Sequence, residues 1–76
     1  MIVKGQIVGQ TTDEGAGFVG FRYGVVVAAG PVQFKVQWEH GQRSIYFQPY
    51  GGGCLRVLSG KSVIEAIKVL QAQGYL

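Results

Sequence analysis

Residues 32–47, VQFKVQWEHGQRSIYF, contain the strongest pattern in the chain. Apolar and polar side chains alternate from residue 32 to residue 39, which is the period of a β-strand with one buried face. His40-Gly41 then predicts a two-residue turn, because glycine readily adopts the positive φ that such turns need. The predicted cross-strand pairs are Trp38 with Arg43, Val36 with Ile45, and Phe34 with Phe47. This register places the apolar side chains of both strands on one face of a β-hairpin.

Short β-type runs lie on both sides of this hairpin. The 76 residues include 13 glycines, spread along the chain in the manner of short strands joined by tight turns. We expect a first strand within residues 1–8, a loop over 10–17, a long strand over 18–29 and a last strand over 54–58. Gly20 or Gly24 would bend the long strand. Pro49 and Gly51-Gly52-Gly53 interrupt the ladder after the hairpin, because proline has no N–H to donate.

The C-terminal residues predict one amphipathic helix. Ser62 and Glu65 match a capping box, in which the serine side chain accepts a hydrogen bond from the N3 amide. Gly74 stands where a glycine would end the helix. An apolar stripe at helical spacing contains Val63, Ile64, Ile67 and Leu70. We therefore expect a helix over about 62–73 that packs on the strands through Ile64, Ile67 and Leu70.

The chain is long enough for one small domain. A domain of 76 residues and 8.2 kDa has a small core, which stabilises it by only ~3–5 kcal/mol. We expect a mainly β single domain over 1–76, with a small barrel of about five strands over 1–58 and a packed C-terminal α-helix. So small a core favours self-association, and Tyr75 and Leu76 beyond the helix would add exposed apolar surface.

Composition excludes several classes of protein. Hydrophobic residues make up 47% and charged residues 14% of the chain. This composition is too apolar for an intrinsically disordered protein. The longest apolar run, residues 25–29, is far shorter than the ~20 residues that a membrane helix needs. Residues 1–4 lack the pattern of a secretory signal. Cys54 is the only cysteine, which excludes an internal disulfide, so we expect a reducing, cytoplasmic setting.

The charge balance points weakly to a polyanionic partner. The net charge is +3 and the pI is about 9.3, and a basic pI is typical of nucleic-acid-binding domains. The seven basic residues stand singly along the chain, however. A strong phosphate-binding surface needs several cations on one face. We expect weak nucleic-acid binding at most.

The sequence contains no set of residues suited to catalysis or metal binding. A zinc site needs three or four ligands, and the chain has one histidine and one cysteine, His40 and Cys54. A nucleophile would need a neighbouring base and an orienting group. Residues 59–62, SGKS, resemble a phosphate-binding loop, but Leu55 stands where that motif needs glycine. We predict a protein that is not an enzyme and binds no metal or cofactor.

Aromatic side chains next to cations mark the candidate binding surface. In the predicted register Tyr46 lies on the outer face opposite Lys35, and an exposed aromatic beside a cation suits stacking on bases, sugars or peptide side chains. Tyr46 also fits as a half-exposed member of a small core. The candidate surface contains Arg22, Tyr23, Lys35, Arg43, Tyr46 and Tyr50. We expect Trp38 in the core, with Arg43 stacked on its ring.

From Gly20 to Val57 the chain resembles the Src-homology-3-like small barrels. The shared features are a bent strand, a Gly-Pro turn, an alternating strand, a tight hairpin and a short last strand. Residues 23–27, YGVVV, and 35–41, KVQWEHG, look most like the Tudor and KOW branch of these barrels. The resemblance implies a module that binds nucleic acid or protein segments. The aromatic cage of methyl-lysine-reading Tudor domains is not identifiable in the sequence.

A second resemblance is to type II, plasmid-borne dihydrofolate reductase, a small barrel that acts as a tetramer. Its ligand-binding strand carries Val-Gln-Ile-Tyr; here Ile45 and Tyr46 match, and Ser44 replaces the glutamine. The helix after the barrel departs from that family. This resemblance implies, as a remote alternative, a small-ligand or reductase-type site at an oligomer interface.

These patterns together favour a non-catalytic binding module that acts through protein–protein contacts as a homo-oligomer, a homodimer or higher. Its contact with a protein partner, or with another copy of itself, would use an exposed strand edge or an aromatic patch. The alternative is a nucleic-acid-binding module of weak sequence specificity. The feature that separates the two is whether the basic residues converge on one face.

Overall fold

The computed structural model describes residues 1–13, 19–48 and 55–76, where it contains five strands and one helix. The elements are β1 (Ile7–Asp13), β2 (Val19–Ala29), β3 (Gln33–Trp38), β4 (Arg43–Phe47), β5 (Leu55–Val57) and α1 (Lys61–Ala72). The prediction of a mainly β chain with one C-terminal helix is confirmed. β1 starts later than predicted and extends into residues predicted as a loop. The predictions for Pro49, Tyr50, Gly51-Gly52-Gly53 and Cys54 lie outside the described residues.

All five strands belong to one antiparallel sheet in the order β4-β3-β2-β1-β5. β1, β2 and β3 each pair with the next strand along the chain, and β5 returns to pair with β1, with Val57 opposite Val8. In the described residues no pairing joins β5 to β4. The three residues of β5 pair with β1 alone. In place of the predicted barrel, the structure therefore has an open five-stranded sheet.

The β3–β4 hairpin has a three-residue loop, residues 39–41. Gly41 N donates to Trp38 O over 3.1 Å, and Trp38 N donates to Gln42 O over 2.8 Å. Gly41 has a φ of 96°, which is the left-handed conformation typical of the last position in such loops. The observed pairs are Gln37 with Arg43, Val36 with Ser44, Lys35 with Ile45, Phe34 with Tyr46, and Gln33 with Phe47. The predicted register is therefore wrong by one residue.

This shift reverses the two faces of β4, because side chains alternate along a strand. Ser44 and Tyr46 lie on the same face as the core of β3. Ile45 and Phe47, which the sequence predicted to be buried, point the other way and are 55% and 71% exposed. The cause is the loop, which contains one residue more than the predicted turn.

The inner face of the sheet carries the main hydrophobic core. Its buried side chains are Val8, Val26, Phe34, Val36, Trp38 and Leu55, with Ile2 and Tyr46 packed against them. The prediction that Trp38 and Phe34 lie in the core is confirmed. β1, β2, β3 and β5 all contribute buried side chains to this one cluster.

Ile2 packs against this core, and the Gln48 side chain is hydrogen-bonded to its backbone. Its Nε2 donates to Ile2 O over 2.8 Å and to Gly30 O over 2.9 Å. Its Oε1 accepts from Ile2 N over 2.9 Å. One amide thus joins the end of β4 to the N-terminal segment and to the β2–β3 turn.

β2 is irregular near its end rather than at its glycines. Its register with β3 shifts between Val26 and Ala28, so the bend predicted at Gly20 or Gly24 lies further along the strand. Gly24 has a different role, because a Cβ there would collide with the Trp38 ring.

α1 begins one residue earlier than predicted. Its N-cap is Gly60, with a φ of 63°, and no side chain caps the helix. Ser62 already lies in the first turn, so the predicted capping box does not form. At the other end Gly74 has a φ of 84°, and Tyr75 N donates to Leu70 O over 2.9 Å. This is the Schellman arrangement, so the predicted C′ glycine is confirmed.

α1 packs on β1 and β2, on the face of the sheet opposite the main core. Ala66 and Leu70 are fully buried, and Val25 of β2 is buried outside the inner cluster, on this side. Ile67 is half-buried, and Ile64 is 58% exposed. The predicted packing is therefore confirmed for Leu70 and wrong for Ile64, because the buried stripe is centred on Ala66.

Candidate binding surface

The structure distributes the predicted surface residues over both faces of the sheet. By strand pairing and alternation, Arg22 and Tyr46 lie on the inner face, and Tyr23, Lys35 and Arg43 lie on the outer face. The sixth, Tyr50, is outside the described residues. The set therefore does not form one continuous surface.

Arg22 is held within a polar cluster on the inner face. Its guanidinium carbon lies 3.9 Å from the centre of the Trp38 ring, a cation–π contact. Its Nε donates to Gln10 Oε1 over 2.9 Å, and its Nη1 donates to Gln42 Oε1 over 3.2 Å. The predicted stack of Arg43 on Trp38 is wrong, because Arg22 of the neighbouring strand occupies that ring.

Tyr46 belongs to the same inner cluster, not to the outer surface as the predicted register required. Its ring stacks on Phe34, with centroids 5.4 Å apart and planes inclined by 26°. Gln10 Nε2 donates to Tyr46 Oη over 3.5 Å. Beside it, Trp38 Nε1 donates to Ser44 Oγ over 3.0 Å. Ser44 and Tyr46, which enter the comparison with the reductase strand, are thus engaged with the core.

Arg43 lies on the outer face at the start of β4. Its Nε donates to Oε1 of Gln37, a side chain that is 3% exposed. Gln37 Nε2 donates to Trp38 O over 3.1 Å and to Gln42 O over 3.3 Å. Because a buried amide needs partners for both its oxygen and its nitrogen, Arg43 completes this set and is fixed in position by it.

The exposed part of the outer face, which we call the β3–β4 outer face, is rich in apolar surface. It is formed by Gln33, Lys35, Arg43, Ile45 and Phe47. α1 covers β1 and β2 and, in the described part of the chain, makes no comparable contact with β3 or β4. Ile45 and Phe47 are consequently more than half exposed. The β3–β4 outer face combines two cations and two large apolar side chains with no acidic residue.

β4 is also an edge strand of the sheet. Gln48 N donates to Val32 O over 2.8 Å, so the even-numbered residues of this strand direct their backbone groups toward β3. The N–H and C=O groups of Arg43, Ile45 and Phe47 therefore point away from β3. No other strand of the described ranges pairs with this edge.

Sequence reasoning missed Ile45 and Phe47 as surface residues. Their apolar character favoured the two-residue turn that would bury them. The feature of the sequence that could have revealed them as surface residues is Gly41, because a three-residue loop also ends on a left-handed glycine.

Other kinds of site find little support in the described residues. They contain no group of three or more His, Cys, Asp or Glu side chains that could hold a metal ion.

No protein-family model, curated protein or solved structure matches this chain. A shallow depression of about 300 Å³ lies along residues 28–35, and Lys35 is the one charged side chain among the described residues that line it. Within the described ranges, no helix is long and apolar enough to cross a membrane.

Proposed function

We propose that this chain is a non-catalytic binding module that acts through protein–protein contacts as a homo-oligomer, using the β3–β4 outer face and the edge of β4. The observation that carries the proposal is the exposure of Ile45 and Phe47 side by side on an edge strand. Neighbouring exposed apolar side chains are typical of interaction surfaces. A reducing, cytoplasmic setting belongs to the same proposal, because Cys54 is the only cysteine.

In the described residues, the edge of β4 has few of the features that usually prevent strand association. Proteins protect edge strands with lysine, proline, bulges or very short strands. β4 has five residues, RSIYF, whose pairing with β3 is regular, and its one charge, Arg43, is bound to Gln37. An edge of this kind favours addition of another strand.

We also propose that the fold is an open relative of the Src-homology-3-like small barrels. The support is the connection of the strands: four successive neighbours, followed by a short last strand that returns to the first. An experimental structure with a different strand order would contradict this relation.

Nucleic-acid binding is the second candidate, and it has one supporting observation. Lys35 and Arg43 lie on the same exposed face as the Phe47 ring, with no acidic residue among them. A cation beside an aromatic ring suits a stacked base. Because Arg22 lies on the opposite face, stacked on Trp38, only two cations converge on this surface.

Light scattering and sedimentation of the purified chain test the proposal, with and without single-stranded and duplex oligonucleotides. We expect the mass of two or more chains, without oligonucleotide, over the micromolar to millimolar range. A single-chain mass throughout that range would contradict self-association. A mass that rises only when oligonucleotide is added would place the nucleic-acid function first.

A further inference from the structure

We infer that the partner of the β4 edge is β4 of a second copy of this chain, paired antiparallel about a two-fold axis at Ile45. The inference rests on the proposed function and names its partner and geometry. Two sheets would then join into one continuous sheet across the dimer.

The backbone of β4 is complementary to itself in this arrangement. Arg43, Ile45 and Phe47 all direct their N–H and C=O groups to the free side. In the register centred on Ile45, each of these residues faces a residue of the second copy that also has free groups. Three pairs of two bonds each make about six hydrogen bonds. No residue of β4 with free backbone groups is then left without a partner.

The side chains select the same register. With Ile45 at the centre, Arg43 of one copy lies opposite Phe47 of the other, so each guanidinium meets an aromatic ring. A register centred on Arg43 would bring two guanidinium groups together, which is unfavourable. A register centred on Phe47 would leave Arg43 and Ile45 beyond the end of the partner's β4, so that only Phe47 is paired within the two strands.

The β3–β4 outer face of each copy extends this contact on one side of the joined sheet. Antiparallel pairing puts the two Ile45 side chains directly opposite each other, flanked on both sides by an arginine–phenylalanine pair. Each copy carries a net charge of +3, so the apolar centre has to overcome mutual repulsion. We therefore expect the dimer to strengthen as salt screens the charges.

Site-specific cross-linking tests the register. In the 76-residue chain carrying Cys54→Ser, one variant receives Ile45→Cys and a matched control receives Phe47→Cys, also exposed on β4. The proposed axis brings the two copies of position 45 to a Cα separation of about 5.5 Å, and leaves the two copies of position 47 about 14 Å apart. A bifunctional thiol reagent too short for the longer distance should join most of the Ile45→Cys chains and few of the Phe47→Cys chains. Equal joining, or more at position 47, would overturn the inference.

A charged side chain at position 45 tests this inference separately from the proposed function. Ile45→Lys places two ammonium groups opposite each other and should halve the mass measured by light scattering. Ile64→Lys, at an exposed position on α1, should leave the mass unchanged. Circular dichroism verifies that both variants are folded.

If the unaltered chain is a dimer and Ile45→Lys remains one, the β4 inference fails while self-association stands. If the unaltered chain is a monomer at every concentration, the β4 inference and self-association both fail. A monomer whose Ile45 amide shifts when an acidic extended peptide is added would overturn the inference and keep the binding module.

Discussion

Gly24 lies beneath the Trp38 ring, on the strand next to it. A Cβ at this position would come within 2.6 Å of Val36 Cγ1 and 2.7 Å of Trp38 Cε3. Both neighbours are fully buried core side chains, and close-packed interiors accommodate extra atoms poorly. The glycine is therefore required by packing, and the position of the Trp38 ring depends on it.

Gly24→Ala should destabilise the chain by about 1–3 kcal/mol through overpacking. Gly30→Ala is the matched control, because its Cβ would meet nothing closer than Gln33 O at 3.9 Å. We expect the control to be neutral or stabilising by up to ~1 kcal/mol, since alanine restricts the unfolded chain. Urea unfolding monitored by Trp38 fluorescence measures both. Equal stability of the two variants would show that the ring is not packed on Gly24.

At the scale of elements, the hairpin shows how far sequence reasoning reaches. The alternation of residues 32–39 correctly predicts β3 and its buried face, because period-two burial is a local property. Gly41 correctly predicts the turn, but both two- and three-residue loops accept a glycine at that place. The choice between them depends on contacts beyond the turn, such as the hydrogen bond from Trp38 to Ser44. The register of β4 could not be read from the local pattern.

The candidate surface was predictable to a similar extent. Lys35 and Arg43 lie on the outer face, but Arg22 and Tyr46 turn inward. Arg22 bonds to Gln10 of β1, and Tyr46 stacks on Phe34 of β3. Because these partners belong to other strands, the sequence around each residue contains no sign of them.

The same scale includes the docking of α1, which a pair of variants can test. Leu70→Ala should cost ~2–5 kcal/mol, because Leu70 is fully buried against β1 and β2. Ile64→Ala changes a side chain that is 58% exposed and should stay within about 0.5 kcal/mol. Chemical denaturation of the two variants gives the comparison. A larger loss for Ile64→Ala would mean that the helix is rotated from the orientation described.

The whole molecule has two apolar layers, one on each side of a single sheet. The inner core centres on Trp38, and the outer layer consists of Val25 with Ala66 and Leu70. The helix covers only half of the outer face, so the β3–β4 half is exposed. The small size of the chain and the presence of one helix in the described residues together account for this uncovered area.

We expect the distribution of cations over the molecule to allow only weak binding of nucleic acid. With two cations on the β3–β4 outer face, the slope of log Kobs against log salt should be about −1.4 for single strands and −1.8 for duplex. Lys35→Gln should reduce the magnitude of this slope by about 0.7–0.9, and Lys68→Gln on α1 should not change it. Fluorescence anisotropy of labelled oligonucleotides measures these values. A slope near −4 would show a larger basic surface than the described residues form.

The number of residues in the β3–β4 loop decides which side chains of β4 are exposed. With residues 39–41 in the loop, the strand exposes Arg43, Ile45 and Phe47; one residue fewer would expose Ser44 and Tyr46 and turn Ile45 inward. A single-codon deletion or insertion in the hairpin would thus exchange an exposed apolar strip for a hydroxyl-bearing one without altering any residue of β4. Related chains would gain or lose the exposed apolar strip by this route, and a comparison of their β4 residues alone would not reveal the change.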